Sequence, residues 1–216
     1  MREELPVEKK FDHRDFEFLN DEEKFTKIYE NNFWGNSESI SGNGSTLLST
    51  RVIREMLPDV LRQLGVTSML DAPCGDFNWM SYVDLYGINY TGMDIVTALI
   101  NSNKITFPSV NFIVGDLATS DLPKVDLILC RDCLVHLDYK TIDAVLENIR
   151  KSSIKYLMTT HFTECDANRD IVTGNWRPLN FELPPFNFKQ PLFIINEQCE
   201  EGNGTFKDKS LALWAL

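Results

Sequence analysis

The sequence predicts an α/β protein: a seven-stranded, mostly parallel sheet with helices on both faces, closed by an antiparallel C-terminal hairpin. Three observations predict it. Between residues 68 and 162, short apolar runs alternate with helical stretches. Those runs lack the one-in-two polarity of a half-exposed strand, so they suit a parallel sheet buried on both faces. The last two apolar runs, PLFIINEQCE and KSLALWAL, flank a turn with Gly202, Asn203 and Gly204, which suits an antiparallel pair.

The elements follow in order. Residues 1–45 are expected to be an N-terminal arm and covering loop, and 46–216 one folded domain. The charge-rich opening carries aromatics at Phe11, Phe16, Phe18 and Phe25 and reads as an arm or short helix that docks on the rest. His13 within it reads as solvated. NNFWGNSESISGNGS is turn-rich and reads as a loop. From Thr46 to about Leu64 the apolar residues fall at helical spacing, with Pro58 expected to kink or end the helix. SMLDAPC reads as a strand, FNWMSYVDLY as a helix, INYTGMD as a strand and VTALINSNKIT as a helix. VNFIVGD and VDLILCRD are strands, KTIDAVLENIRK an amphipathic helix and KYLMTTHF the fifth strand. From Thr163 to about Gln190 a long Pro-, Asn- and Phe-rich connection has no regular pattern, and connections this long are usually functional.

Composition narrows the classes. At 216 residues, with 43% hydrophobic and 25% charged, the chain can bury a core without disulfides. A net charge of −11 and the absence of Lys/Arg-rich runs argue against nonspecific nucleic-acid binding and against anionic membranes. Five cysteines, Cys74, Cys130, Cys133, Cys165 and Cys199, are an odd number that suits reduced thiols. Cys130 and Cys133 have metal-knuckle spacing but no second pair, so no metal is expected. The N-terminal MREELPVEKKFDHRDFEF has no apolar signal core, and no run approaches a membrane span of about 20 apolar residues. A cytoplasmic location is expected. The sequence sets no oligomeric state.

In an open α/β sheet, ligands bind beyond the carboxyl ends of the strands. The first strand delivers Asp71-Ala72-Pro73-Cys74-Gly75-Asp76, a small-residue turn that a ligand can approach closely. The second ends in Asp94 followed by Ile95, 23 residues after Asp71. An acid near that offset accepts hydrogen bonds from a ribose diol. The third ends in Gly115-Asp116-Leu117, where Asp116 is placed to accept from an adenine amine. The fourth ends in Cys130-Arg131-Asp132 with His136 beyond, and the fifth in Thr159-Thr160-His161. One acid at a strand end is ordinarily a cap or turn former. Three acids at successive strand ends behind a small-residue turn carry the signal as a set.

On these motifs the sequence resembles the class I S-adenosylmethionine (SAM) dependent methyltransferases, from about Asn31 to the C-terminus. LDAPCGDF is similar to the glycine-rich first motif, YTGMDIV to the ribose-binding acid, GDL to the motif near the adenine, and LCRDCLVHL to the stretch bordering the methyl donor. The C-terminal hairpin resembles the family's antiparallel last strand, a feature that NAD-binding Rossmann folds lack. The usual E/D-x-G-x-G-x-G keeps only its middle glycine, Gly75. The resemblance implies a Rossmann-like sheet, SAM as cofactor and S-adenosylhomocysteine as product. Its implied donor site contains Trp34, Arg51, Asp71, Ala72, Pro73, Gly75, Asp94, Ile95, Asp116, Leu117, Cys130 and Arg131. Arg54 and Gly42 are further candidates for the amino acid end of SAM.

The acceptor side rests on residue types. His136 and His161 titrate near neutrality and suit a general base, with Asp132 orienting one of them or acting itself. Arg169, Trp176 and Arg177 lie in a polar stretch after the fifth strand and suit a carbohydrate or polar peptide. The expected function is methyl transfer to a polar acceptor, with a hydroxyl of a sugar or small metabolite favoured. A peptide or protein side chain is the alternative acceptor. A noncatalytic SAM-binding partner subunit and an NAD-dependent enzyme are the rival classes.

Overall fold

The structure is a computed structural model, and it describes residue 16 and residues 18–216. Most of the N-terminal arm, including Phe11 and His13, lies outside the described residues. The elements are α1 (Asp21–Glu30), α2 (Arg51–Gln63), β1 (Ser68–Asp71), β2 (Asn89–Asp94), α3 (Thr97–Thr106) and β3 (Asn111–Val114). β4 (Leu127–Cys130), α4 (Tyr139–Lys151), β5 (Tyr156–Phe162), β6 (Phe193–Asn196) and β7 (Lys209–Ala215) complete them.

The strands form one seven-stranded sheet in the order β3-β2-β1-β4-β5-β7-β6. β1 to β5 pair in parallel, and β7 runs antiparallel between β5 and β6. The expected sheet and closing pair are therefore present. β1 sits between β2 and β4, so successive crossovers leave it in opposite directions and open a crevice at its carboxyl end.

Alternation along the strands splits the core into two layers. Leu127 and Leu129 of β4 join Met69, Met158, Leu211 and Leu213 under α2, whose Ile53, Leu57, Val60 and Leu61 are buried. Ile128 and Cys130 face the other way with Leu70, Leu157, Ala212 and Trp214, under Ile142, Val145, Leu146 and Ile149 of α4. At the amino ends, Asp126 ties the central strands together. Its carboxylate accepts from the Thr67 and Ser68 amides at 3.0 and 3.1 Å and from Lys155 Nζ at 2.7 Å. These donors hold its pKa well below the usual carboxylate range.

Three expectations change. FNWMSYVDLY forms a single 3₁₀ turn, Met80–Tyr82, instead of a helix. Phe77 takes φ +58° and the Asn78 amide donates to Asp76 Oδ1 at 3.2 Å, which breaks helical geometry where the helix would start. Phe77, Trp79, Met80 and Val83 are all buried, so the segment works as a plug rather than as a one-faced helix. The helix read from Thr46 begins at Arg51, because residues 46–50 are held as turns by the Thr46 and Thr50 hydroxyls. Pro58 neither ends nor splits α2. It lies on a half-exposed face, where the carbonyl it leaves without a partner can reach water.

Candidate active site

At the carboxyl ends of β1, β2 and β4 lies a cavity roofed by α1 and by the loop before α2. Of the residues singled out by sequence, Trp34, Asp71, Ala72, Pro73, Gly75, Asp94, Ile95, Asp116, Leu117, Arg131, Asp132 and His136 line it.

The β1 turn is built by three acids. Asp94 Oδ2 accepts from the Gly75 amide at 3.1 Å, and Oδ1 from the Val96 amide at 3.0 Å. Burial raises its pKa to about 6 against these hydrogen bonds. Asp71 Oδ2 accepts from the Tyr90 hydroxyl at 2.7 Å, and burial raises its pKa to about 7. Asp76 also lines the cavity and latches the covering loop. It accepts from Ser39 Oγ at 2.8 Å and the Ile40 amide at 2.9 Å, while its own amide donates to Ser41 Oγ at 3.1 Å. Gly75 has φ +53°, and a Cβ there would run into the Ser41 hydroxyl. A glycine at this position of the turn meets both demands.

These residues fit a SAM-sized nucleoside. The Asp94 carboxylate is held by the Gly75 and Val96 amides and lies on the cavity wall, where a carboxylate suits a vicinal diol. Asp116 is more committed: it caps its own turn by accepting from the Ala118 amide at 2.8 Å and from Thr119 Oγ1 at 2.9 Å. Its oxygens retain lone pairs beside Leu117 and Ile95 on the cavity wall.

Behind the β4 end lies a buried ion network. Arg131 donates through Nε and Nη2 to Glu197 at 3.0 and 2.7 Å, and through Nη2 to the Gly44 carbonyl at 2.8 Å. Asp132 Oδ2 lies 2.7 Å from Lys209 Nζ and 3.2 Å from Arg131 Nη1. The Asp132 backbone sits at φ +50° and its amide donates to Thr160 Oγ1 at 2.7 Å. Burial works against each of these charges. Asp132 is nevertheless held well below the usual carboxylate range by Arg131 and Lys209, and Arg131 and Lys209 are raised by their acid partners. Asp132 is therefore a fixed negative charge at neutral pH and a poor proton acceptor. A Cβ on Gly44 would press on Asp132 Oδ2 at 2.8 Å, so the covering loop packs directly onto this network.

His136 closes the site. Its Nδ1 is 2.9 Å from the Asn175 carbonyl, which can only accept, so Nδ1 carries the hydrogen and the neutral ring keeps its lone pair on Nε2. Burial lowers its pKa. Its ring lies against Trp34 at 5.0 Å between centroids, and Trp34 lies 6.4 Å from Phe25.

The remaining sequence candidates lie elsewhere. His161 is fully buried away from the cavity, between Phe181 and Trp214. Its Nδ1 accepts from the Phe181 amide at 3.2 Å, and Nε2 has no hydrogen-bond partner, with Glu182 at 3.6 Å. Arg51 is exposed and donates to Gln198, and Arg54 donates back to Leu47 and Thr50. Gly42 backs Trp34, and a Cβ there would lie 3.2 Å from the Trp34 Cβ. Cys130 is buried in the sheet. Arg169 is exposed, and its carbonyl accepts from Arg177. Trp176 packs on Phe206 and Phe162 instead of lining the cavity.

Arg177, expected at an open acceptor lid, is fully buried and donates to the Leu134 and Leu137 carbonyls at 2.7 and 2.6 Å. The Gly174 amide also donates to the His136 carbonyl at 2.8 Å. The stretch after β5 is therefore a brace around the turn that carries His136. An arginine among Asn, Asp and Trp looks the same in sequence whether it turns out or in.

Sequence reasoning missed Phe25 and Tyr29 of α1, Ser41 and the Glu197–Lys209 pair. Phe25 and Tyr29 lie four residues apart on one face of α1 and line the cavity. Charged residues inside or beside the last apolar strands were the available signal for Glu197 and Lys209. Among the described residues no three His, Cys, Asp or Glu side chains converge as a metal site, and no helix is long and apolar enough to cross a membrane.

The sheet order and the crevice define a class I methyltransferase fold. Residues 70–153 match the model of a family described as a methyltransferase domain. Two solved structures illustrate the fold at TM-score 0.57. The methyltransferase domain of bacterial CtHen1-CN is 13% identical, over 78% of this chain and 100% of that one. Human N-acetylserotonin methyltransferase in complex with SAM is 17% identical, over 94% of this chain and 61% of that one. The match to PH0226 protein from Pyrococcus horikoshii OT3 spans 58% of that chain, and the match to bacterial CtHen1-C spans 66%. No curated protein matches the chain in sequence. Residues 70–153 thus carry a methyltransferase-domain match, and the sheet around them has the fold of the class I methyltransferases.

Proposed function

We propose that the protein transfers a methyl group from SAM to a hydroxyl of a polar acceptor, a sugar or other small metabolite. The observation that carries this reading is the convergence of Asp71, Asp94 and Asp116 with the Gly75 turn on the same cavity as His136. Bound SAM supplies an electrophilic methyl on a sulfonium. Asp94 takes the ribose diol, Asp116 and Leu117 border the adenine, and Gly75 lets the backbone approach. Asp71 and Asp132 border the cationic end; Asp132 is ionised there, while Asp71, raised to about 7, carries only part of its charge at neutral pH.

That arrangement leaves the end walled by Trp34 and His136 for the acceptor. His136 is neutral at physiological pH and holds its lone pair on Nε2, so it takes the hydroxyl proton as the oxygen–methyl bond forms and the sulfur–methyl bond breaks. Asp132 fixes charge at the site rather than accepting that proton. The residues that brace His136, Asn175 and Arg177 above all, set the ring's orientation.

The test is release of S-adenosylhomocysteine from purified protein given SAM and a panel of hydroxylated sugars and phenols. Acceptor-dependent release supports the reading. Tight SAM binding without turnover on hydroxyl, amine or peptide acceptors would favour the noncatalytic subunit instead.

A further inference from the structure

The acceptor end carries a definite chemical character. Phe25, Trp34 and His136 form a continuous wall of rings, with successive centroids 6.4 and 5.0 Å apart. The fixed charge beside them is the Asp132 carboxylate. Among the described residues the only cation lining the cavity is Arg131, and its guanidinium is already spent. Nε and Nη2 are taken by Glu197, Nη2 also by the Gly44 carbonyl, and Nη1 lies on Asp132. The Asp132 carboxylate is paired in turn with Lys209 and Arg131, so an anionic acceptor entering here would meet no free counter-charge. A ring would instead gain stacking area, and a cation would gain from the aromatic faces.

Resting on the SAM-dependent reading above, we propose that Phe25, Trp34 and His136 form a slot for an uncharged or cationic ring compound that presents a hydroxyl. The same slot rejects acceptors that carry a carboxylate or phosphate beside the ring. Phe25 is then a specificity-determining residue contributed by α1, outside the segment from β1 to α4 that carries most of the donor site.

The experiment begins with calorimetric titration of S-adenosylhomocysteine alone. Failure at that step defeats the SAM-dependent reading. The saturated complex is then titrated with two matched series. One is 4-hydroxybenzyl alcohol, tyramine and 4-hydroxybenzoate. The other is methyl glucoside, methyl glucosaminide and methyl glucuronide. The expected result is binding by the neutral or cationic members of at least one series, with the carboxylate member at least tenfold weaker. Phe25→Ala and Phe25→Leu should each weaken ring binding at least fivefold, with S-adenosylhomocysteine affinity held within threefold. Leucine keeps apolar bulk without the ring, and so separates loss of stacking from loss of packing. Equal affinity for the carboxylate members, no binding by either series, or unchanged ring binding in both variants overturns the slot.

Discussion

The proposed donor and acceptor ends of the cavity are built in different ways. The donor end is local: Asp71, Asp94 and Asp116 stand at the carboxyl ends of the first three strands, within 46 residues of chain, and each follows an apolar run. The acceptor end is assembled from afar. Arg131 meets Glu197 across 66 residues and the Gly44 carbonyl across 87, and α1 contributes Phe25 from outside the central strands. A fold fixes the first kind of site almost automatically. The second depends on long-range packing and can be rebuilt without disturbing the sheet.

This difference gives graded predictions. The largest effect is expected at the acceptor end, where His136→Ala should lower turnover by roughly 10²- to 10⁴-fold. The wild-type rate should fall as pH drops through the lowered His136 pKa, below 6.5, and stay flat above it. The variant should lose that inflection in a pH–rate profile. A wild-type rate independent of pH down to the acid limit of the folded protein would remove His136 from the role of base.

The ion network behind the site comes next. Glu197→Ala removes the bidentate partner of the buried Arg131, which keeps only Asp132 and the Gly44 carbonyl, and should destabilise the fold by about 3 kcal/mol, read as a lower midpoint in urea. A change below about 1 kcal/mol would mean that the network is dispensable for stability and that the two ends are built less differently than the geometry indicates.

The smallest of the three belongs to the donor end. The folded pKa of Asp71, about 7, lies above its unfolded value, so the native state binds the proton more tightly. The associated stability is present at low pH and is lost as pH rises from about 4 to about 7. Asp71→Asn should therefore gain on the wild type across that window, by about 1–3 kcal/mol, in chemical unfolding at pH 5 and pH 8. A difference that stays constant with pH would show that Asp71 is already ionised in the folded protein.

The same contrast decides what the sequence could reveal. The five inner strands were legible because a strand buried on both faces must be apolar throughout, so its run stands out and stops where the chain turns. The edge strands β3 and β6 are half-exposed and were legible from their short apolar runs alone. The three donor-end acids were legible because each stands at such a stop. The direction of a polar side chain was not. His161 and Arg177 are polar residues in plausible places, and both turn into the core, where Arg177 satisfies two carbonyls that no local pattern marks as lacking partners. FNWMSYVDLY has helical composition, but Asp76 and Phe77 divert the backbone before a helix can start. Phe25 was visible as an aromatic, yet its partners Trp34 and the cavity come together only in the folded chain.

The central claim is that the strand-end acids bind the nucleoside of SAM, and its most direct test is calorimetric titration of S-adenosylhomocysteine into wild type and Asp94→Ala, with NAD as a control. The expected result is one site per chain in the wild type, no binding of NAD, and at least a tenfold loss of affinity in the variant. Because Asp94 also holds the Gly75 amide, Asp94→Asn, which keeps an acceptor for that bond, should show an intermediate loss. Equal affinity in wild type and both variants, or no binding to a folded wild-type protein, would contradict the account.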